Sequence, residues 1–95
     1  MKTYQVFLGT NKPSGGVVTT NEWSQFLKQI DATFSEGYTV QKAIGRWQGL
    51  NENTFLLTVI TDDLKTLQSL CLTYKQLFDQ ESVLIQELPT TPIFI

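Results

Sequence analysis

The side chains best able to hold a ligand gather around Gly45-Arg46-Trp47. Lys42 stands in phase with Arg46 along a strand-like alternation, so two cations beside an indole could grip an anion or flank a planar ring. The same residues also read as an interface tryptophan next to solvated cations. Further on, Gln80-Glu81-Ser82 joins a helix to a strand, where polar ends can take a ligand or satisfy free backbone groups. With Tyr74 as a proton donor nearby, the candidate ligand-binding residues are Lys42, Arg46, Trp47, Tyr74, Gln80 and Glu81.

No catalytic set emerges. Among Glu22, Asp62, Asp63, Glu81 and Glu87 no two have an acid–base arrangement, and the first three suit helix starts, where negative charge is stabilising. The chain has no histidine and one cysteine, so the usual base near neutral pH is missing and a zinc site would need a carboxylate cluster that is not there. Cys71 falls on an apolar helical stripe and reads as buried filler. The Gly9 to Gly16 loop lacks the Gly-Lys-Ser/Thr ending of a phosphate loop and the spacing of a dinucleotide fingerprint, so it reads as a plain connection. No catalytic residue, metal site or cofactor is expected.

Seven basic against nine acidic side chains give a net charge of −2, which offers nothing to a polyanion and excludes nucleic acid as the expected partner. No run of about 18 apolar residues is present, and Met1 to Val6 runs straight into a strand pattern without a leader-like hydrophobic stretch, so a cytoplasmic protein outside the membrane is expected. Residues 1–95 read as one domain, long enough to bury roughly 60 to 68% of its unfolded surface.

The elements that must position these residues follow from periodicity. Tyr4 to Leu8 is a strand ending at Gly9, and the Asn11 to Gly16 segment is a turn-forming loop. Thr19 and Glu22 have capping-box spacing, predicting a helix from about Thr20 with Trp23, Phe26, Leu27, Ile30 and Phe34 on one face. Ser35-Glu36-Gly37 ends it. Tyr38 to Trp47 alternates as a second strand, broken by a turn from Gly49 to Asn53. Phe55 to Ile60, apolar on both faces, predicts a central strand. Thr61-Asp62-Asp63 offers a cap, and Leu64, Leu67, Leu70, Cys71, Tyr74, Leu77 and Phe78 form the stripe of a helix to about Asp79. Ser82 to Leu88 is the last strand, stopped by Pro89. The order is βαββαβ: a four-stranded antiparallel sheet with both helices on one face.

Several motifs resemble a small bacterial family of unknown function. They are the Gly15-Gly16-Val17 turn followed by Glu22-Trp23 and Phe26-Leu27, then Gly37-Tyr38-Thr39-Val40, then Gly45-Arg46-Trp47. A last stretch comprises Tyr74, Lys75, Phe78, Gln80, Glu81, Ser82 and Val83. The resemblance implies an α+β, ferredoxin-like fold. Leu50 to Thr54 has Glu52 but lacks the arginine that family members commonly place beside it, so no polar site carries over.

Alternation sends Phe7, Trp47, Leu56, Ile60, Leu84 and Leu88 to the face opposite the helices, with Gln5, Gln41, Thr58 and Gln86 interleaved. Such a surface exceeds what monomers usually leave wet. The expected role is a homo-oligomeric module that associates through this face, with the apolar tail 89–95 adding to the contact and room for a small anionic or planar ligand. Two alternatives stand beside it: a small enzyme of isomerase or monooxygenase type, and a regulatory protein that captures a partner through the same face.

Overall fold

The protein, described by a computed structural model covering residues 1–95 with the Trp47 side chain outside the described set, has the predicted element order. Strand β1 spans Lys2–Gly9, helix α1 Thr20–Thr33, strands β2 and β3 Thr39–Trp47 and Leu50–Thr61, helix α2 Leu64–Leu77 and strand β4 Leu84–Leu88. The sheet order is β2-β3-β1-β4, antiparallel throughout, which is the ferredoxin-like α+β arrangement. The run from Phe55 to Ile60 is central, as its apolar composition on both faces requires.

The core lies between sheet and helices. Val6, Leu8, Leu57 and Val59 from the sheet meet Phe26, Ile30, Leu67 and Tyr74 from the helices, all essentially inaccessible. Each such side chain contributes roughly 1.5 to 3 kcal/mol on burial. Phe26, Tyr74 and Phe78 pack edge-to-face at 4.8 to 6.1 Å, the arrangement that aromatic quadrupoles favour. Cys71 is buried with the α2 stripe, and burial pushes its thiol up to about 11, which keeps it protonated and inert at neutral pH.

Local chemistry sets the helix ends. Thr19 caps α1 by accepting the Glu22 amide at 3.1 Å, while the Glu22 carboxylate accepts the Thr19 amide at 3.0 Å. Asp63 caps α2, accepting both the amide and the hydroxyl of Thr66. These bonds hold both carboxyls below their ordinary values: for Glu22 the leading cause is the Thr19 amide, for Asp63 the Thr66 hydroxyl. A depressed folded-state value gives stability that is present above the unfolded-state value and lost as pH falls through the folded-state one. Acidification below about pH 4 is therefore expected to lower the urea midpoint. The Glu22→Gln/Asp63→Asn variant should lose less over the same range, and an equal loss would contradict the assignment.

The boundaries differ from the sequence reading at several places, among them β1, which starts at Lys2 rather than Tyr4, and α2, which ends at Leu77 rather than about Asp79. Of the segment read as a turn from Gly49 to Asn53, Leu50 to Asn53 is strand: Leu50 pairs with Trp47, leaving a two-residue turn of Gln48 (φ 52°) and Gly49 (φ 79°). Two positive φ values match the twist of the flanking strands. Asn51-Glu52-Asn53 looked loop-like because it is polar, but β2 and β3 here extend past the helices, where a ladder needs no apolar side. Strand β2 starts at Thr39 rather than Tyr38, and β4 at Leu84 rather than Ser82, since the register with β1 begins at Phe7↔Leu84. Among the described residues no helix is long and apolar enough to cross a membrane.

Candidate functional site

The end of β1 is fixed from both sides. Tyr74, buried on α2, donates its hydroxyl to the Gly9 carbonyl at 2.6 Å, and burial raises its phenol well above the ordinary value. On the other side of the sheet the Glu52 carboxylate accepts the Asn11 amide at 2.9 Å. A Cβ on Gly9 would lie 2.6 Å from Glu52 Oε2, which explains glycine at this place. Gly9→Ala is expected to push the carboxylate off the Asn11 amide and cost about 1 kcal/mol. In a Glu52→Ala background the same change should cost little, and an undiminished cost in the double-mutant cycle would refute the contact.

Beyond this anchor the chain makes a small hairpin. Asn11 bridges Val17, and the Val18 amide donates to the Thr10 carbonyl at 2.7 Å, delivering the chain to the start of α1. This is a connection, as its sequence implies. Between it and the overhanging β2–β3 hairpin lies a cleft of about 640 Å³. Its inner wall is the stacked pair Trp23 and Phe55, with ring centroids 3.7 Å apart and planes 1° from parallel. Val17, Val18, Thr19 and Thr20 form one side, and Lys42 and Ile44 of β2 the other. Ile44 points to the helix side as expected but is 75% exposed, because β2 has by then passed the start of α1.

The helix-free face of the sheet is the second feature. Register puts Leu84, Phe7 and Leu56 in one row across β4, β1 and β3, and Leu88, Thr3 and Ile60 in another. Between them runs a polar row of Gln86, Gln5, Thr58 and Thr39. Phe7, Leu56, Ile60 and Leu88 are half-buried and Leu84 is 52% exposed. Among the described positions on this face only Glu52 is charged, and its carboxylate is already bonded.

The six residues singled out from sequence do not converge. Lys42 edges the cleft. Arg46 lies at the far end of the hairpin, donating to Asn51 Oδ1 and to the Gly49 carbonyl, both at 2.9 Å. The Trp47 side chain lies outside the described residues, although its backbone pairs with Leu50. Tyr74 is the buried anchor of β1. Gln80 donates to the carbonyls of Asn11 and Phe78, closing the end of α2 against the β1 exit. Glu81 is exposed in the α2–β4 connection. Trp23, Phe55, Thr20 and Ile44 line the cleft without having been singled out; Trp23 and Phe55 fell on core stripes, and only the stacked pair's position beside the overhang makes them a wall.

Comparison with known proteins places the architecture first. Two solved structures are similar in fold: a phage SAM lyase in the apo state (TM-score 0.60, 20% identity, 90% of this chain and 79% of the other) and a phage SAM lyase in complex with S-methyl-5'-thioadenosine (TM-score 0.59, 16% identity, 92% and 79%). At these identities the likeness is one of fold. Residues 3–94 match the family described as Protein of unknown function (DUF3574), and the chain belongs to it. No curated protein matches the chain.

Proposed function

We propose that this chain is a self-assembling α+β module whose copies pack through the helix-free face of the sheet. The observation that carries this reading is the apolar row Leu84–Phe7–Leu56, with Leu88 and Ile60 flanking Thr3 further along, on a face where Glu52 is the one charged residue among the described positions. Solvated sheet faces normally alternate with charged side chains, whereas the centres of protein interfaces are depleted in charge. The composition also favours a second copy as occupant. Two identical highly charged faces repel, but faces that each carry a single, already bonded carboxylate meet with little of that cost, and glutamine amides both donate and accept, so a row centred on Gln5 complements itself across a two-fold axis. Four strands about 4.8 Å apart and the eight residues of β1 at about 3.4 Å each give a face of at most roughly 19 by 27 Å, on the order of 500 Å² in projection, which corresponds to the smaller specific interfaces.

Single-cysteine cross-linking in a Cys71→Ala background tests it. Gln5→Cys is expected to form an intermolecular disulfide on mild oxidation, while Ser24→Cys, on the exposed side of α1, is not. Cross-linking through Ser24→Cys alone would place the contact elsewhere.

A second reading, an enzyme acting on a nucleoside thioether or its sulfonium parent, is favoured by the fold shared with phage SAM lyases, one of them holding S-methyl-5'-thioadenosine. The cleft has an aromatic wall, and its lining includes one cation and no carboxylate, which opposes a sulfonium more than a neutral thioether. Titration of S-methyl-5'-thioadenosine by calorimetry decides this reading: it requires saturable heat, and no heat at millimolar ligand removes it.

A further inference from the structure

The geometry points to a binding site for a small organic monoanion with a flat apolar body, in the cleft between the start of α1 and strand β2. This inference needs no second copy of the chain and does not rest on the assembly reading. The volume, about 640 Å³, falls in the range of small-molecule sites. Apolar surface comes from Val17, Ile44 and the Trp23–Phe55 stack, in which Trp23 is buried and Phe55 half-buried, so a flat body meets it alongside the exposed Val17 and Ile44.

Charge then selects the ligand. Lys42 is the one ionisable side chain in the lining, and among the described residues its ammonium has no carboxylate within ion-pair distance. Glu22, in the first turn of α1 and outside the lining, is occupied: it accepts the Thr19 amide and pairs with Lys12 at 3.1 Å. The amino end of α1, which carries partial positive charge, meets the cleft at Thr20, whose hydroxyl and first-turn backbone amide are available as donors among the described residues. A dianion would leave a second charge unmatched, and a cation would face Lys42 across a partly apolar space. A carboxylate on an aromatic body satisfies both the ammonium and the rings.

The test uses 2-naphthoate and its neutral isostere 2-naphthamide, each titrated into the protein and followed by amide shifts in two-dimensional NMR. Saturable binding of 2-naphthoate is expected, with the largest shifts in Val17 to Trp23 and Lys42 to Ile44. Lys42→Gln should weaken 2-naphthoate about ten-fold, equivalent to ~1.4 kcal/mol, and leave 2-naphthamide unchanged. Ile44→Asp, which puts a negative charge on the wall at an exposed position, should weaken the anion more than the amide. Shifts confined to the helix-free sheet face, no saturation at millimolar ligand, or equal affinity for anion and amide in the unmodified protein would each overturn the proposal.

Discussion

Phe7→Asp is expected to run as a monomer in sedimentation velocity at concentrations where the unmodified chain is associated, with its far-UV circular dichroism unchanged. Phe7 is at the centre of the row Leu84–Phe7–Leu56, so in a face-to-face pair its ring is among the most enclosed. Residues so placed typically carry 2 kcal/mol or more of association energy, and a carboxylate there adds the cost of a desolvated, unpaired charge in each copy. Weakening of at least about 30-fold follows from ~2 kcal/mol alone. The fold should survive, because Phe7 points away from the helices and contributes nothing to the core between them. Ser24→Asp, on the outer side of α1, is the matched control and should leave the assembly intact. An associated Phe7→Asp protein would mean that this row is not the contact.

Tyr74→Ala is expected to destabilise the fold by about 4 kcal/mol, the usual range for removing a fully buried aromatic side chain. The loss is large because three contacts go together: the edge-to-face packing on Phe26, the packing on Phe78, and the hydroxyl bond to Gly9. Tyr74→Phe separates them. It keeps the ring and leaves the Gly9 carbonyl without its side-chain donor, for about 1 to 2 kcal/mol. In a domain of this size ~1 kcal/mol shifts the melting temperature by about 4 to 8 °C, so thermal scans distinguish the two variants readily. A loss below ~1 kcal/mol for Tyr74→Ala would contradict the anchoring role.

Much of this architecture could be read from residue patterns because short-range chemistry and long-range packing agree. The Thr19–Glu22 box starts α1 where its spacing predicts, and strict alternation in β1, β3 and β4 assigned Phe7, Leu56, Ile60, Leu84 and Leu88 to the helix-free face before any register was known. The largest misreading has a physical cause. Asn51-Glu52-Asn53 is strand without an apolar side because the hairpin outruns the helices, and no local pattern reports how far one element extends beyond another. The cleft arises from that same overhang, so Trp23 and Phe55 could be placed in the core from their periodicity but not on the wall of a cavity. Lys42 and Arg46 share a phase, yet four residues along the strand separate the cleft edge from the hairpin turn. Tyr74 and Gln80 were singled out for their polar ends, and the structure shows those ends bonded to backbone at the exit of β1.

Native mass spectrometry of the purified, unmodified protein at micromolar concentration tests the central claim most directly. Packing through the helix-free sheet face predicts a dominant species at two or more times 10.8 kDa that collapses to the single-chain mass in Phe7→Asp. A single-chain mass for the unmodified protein across that concentration range would contradict it.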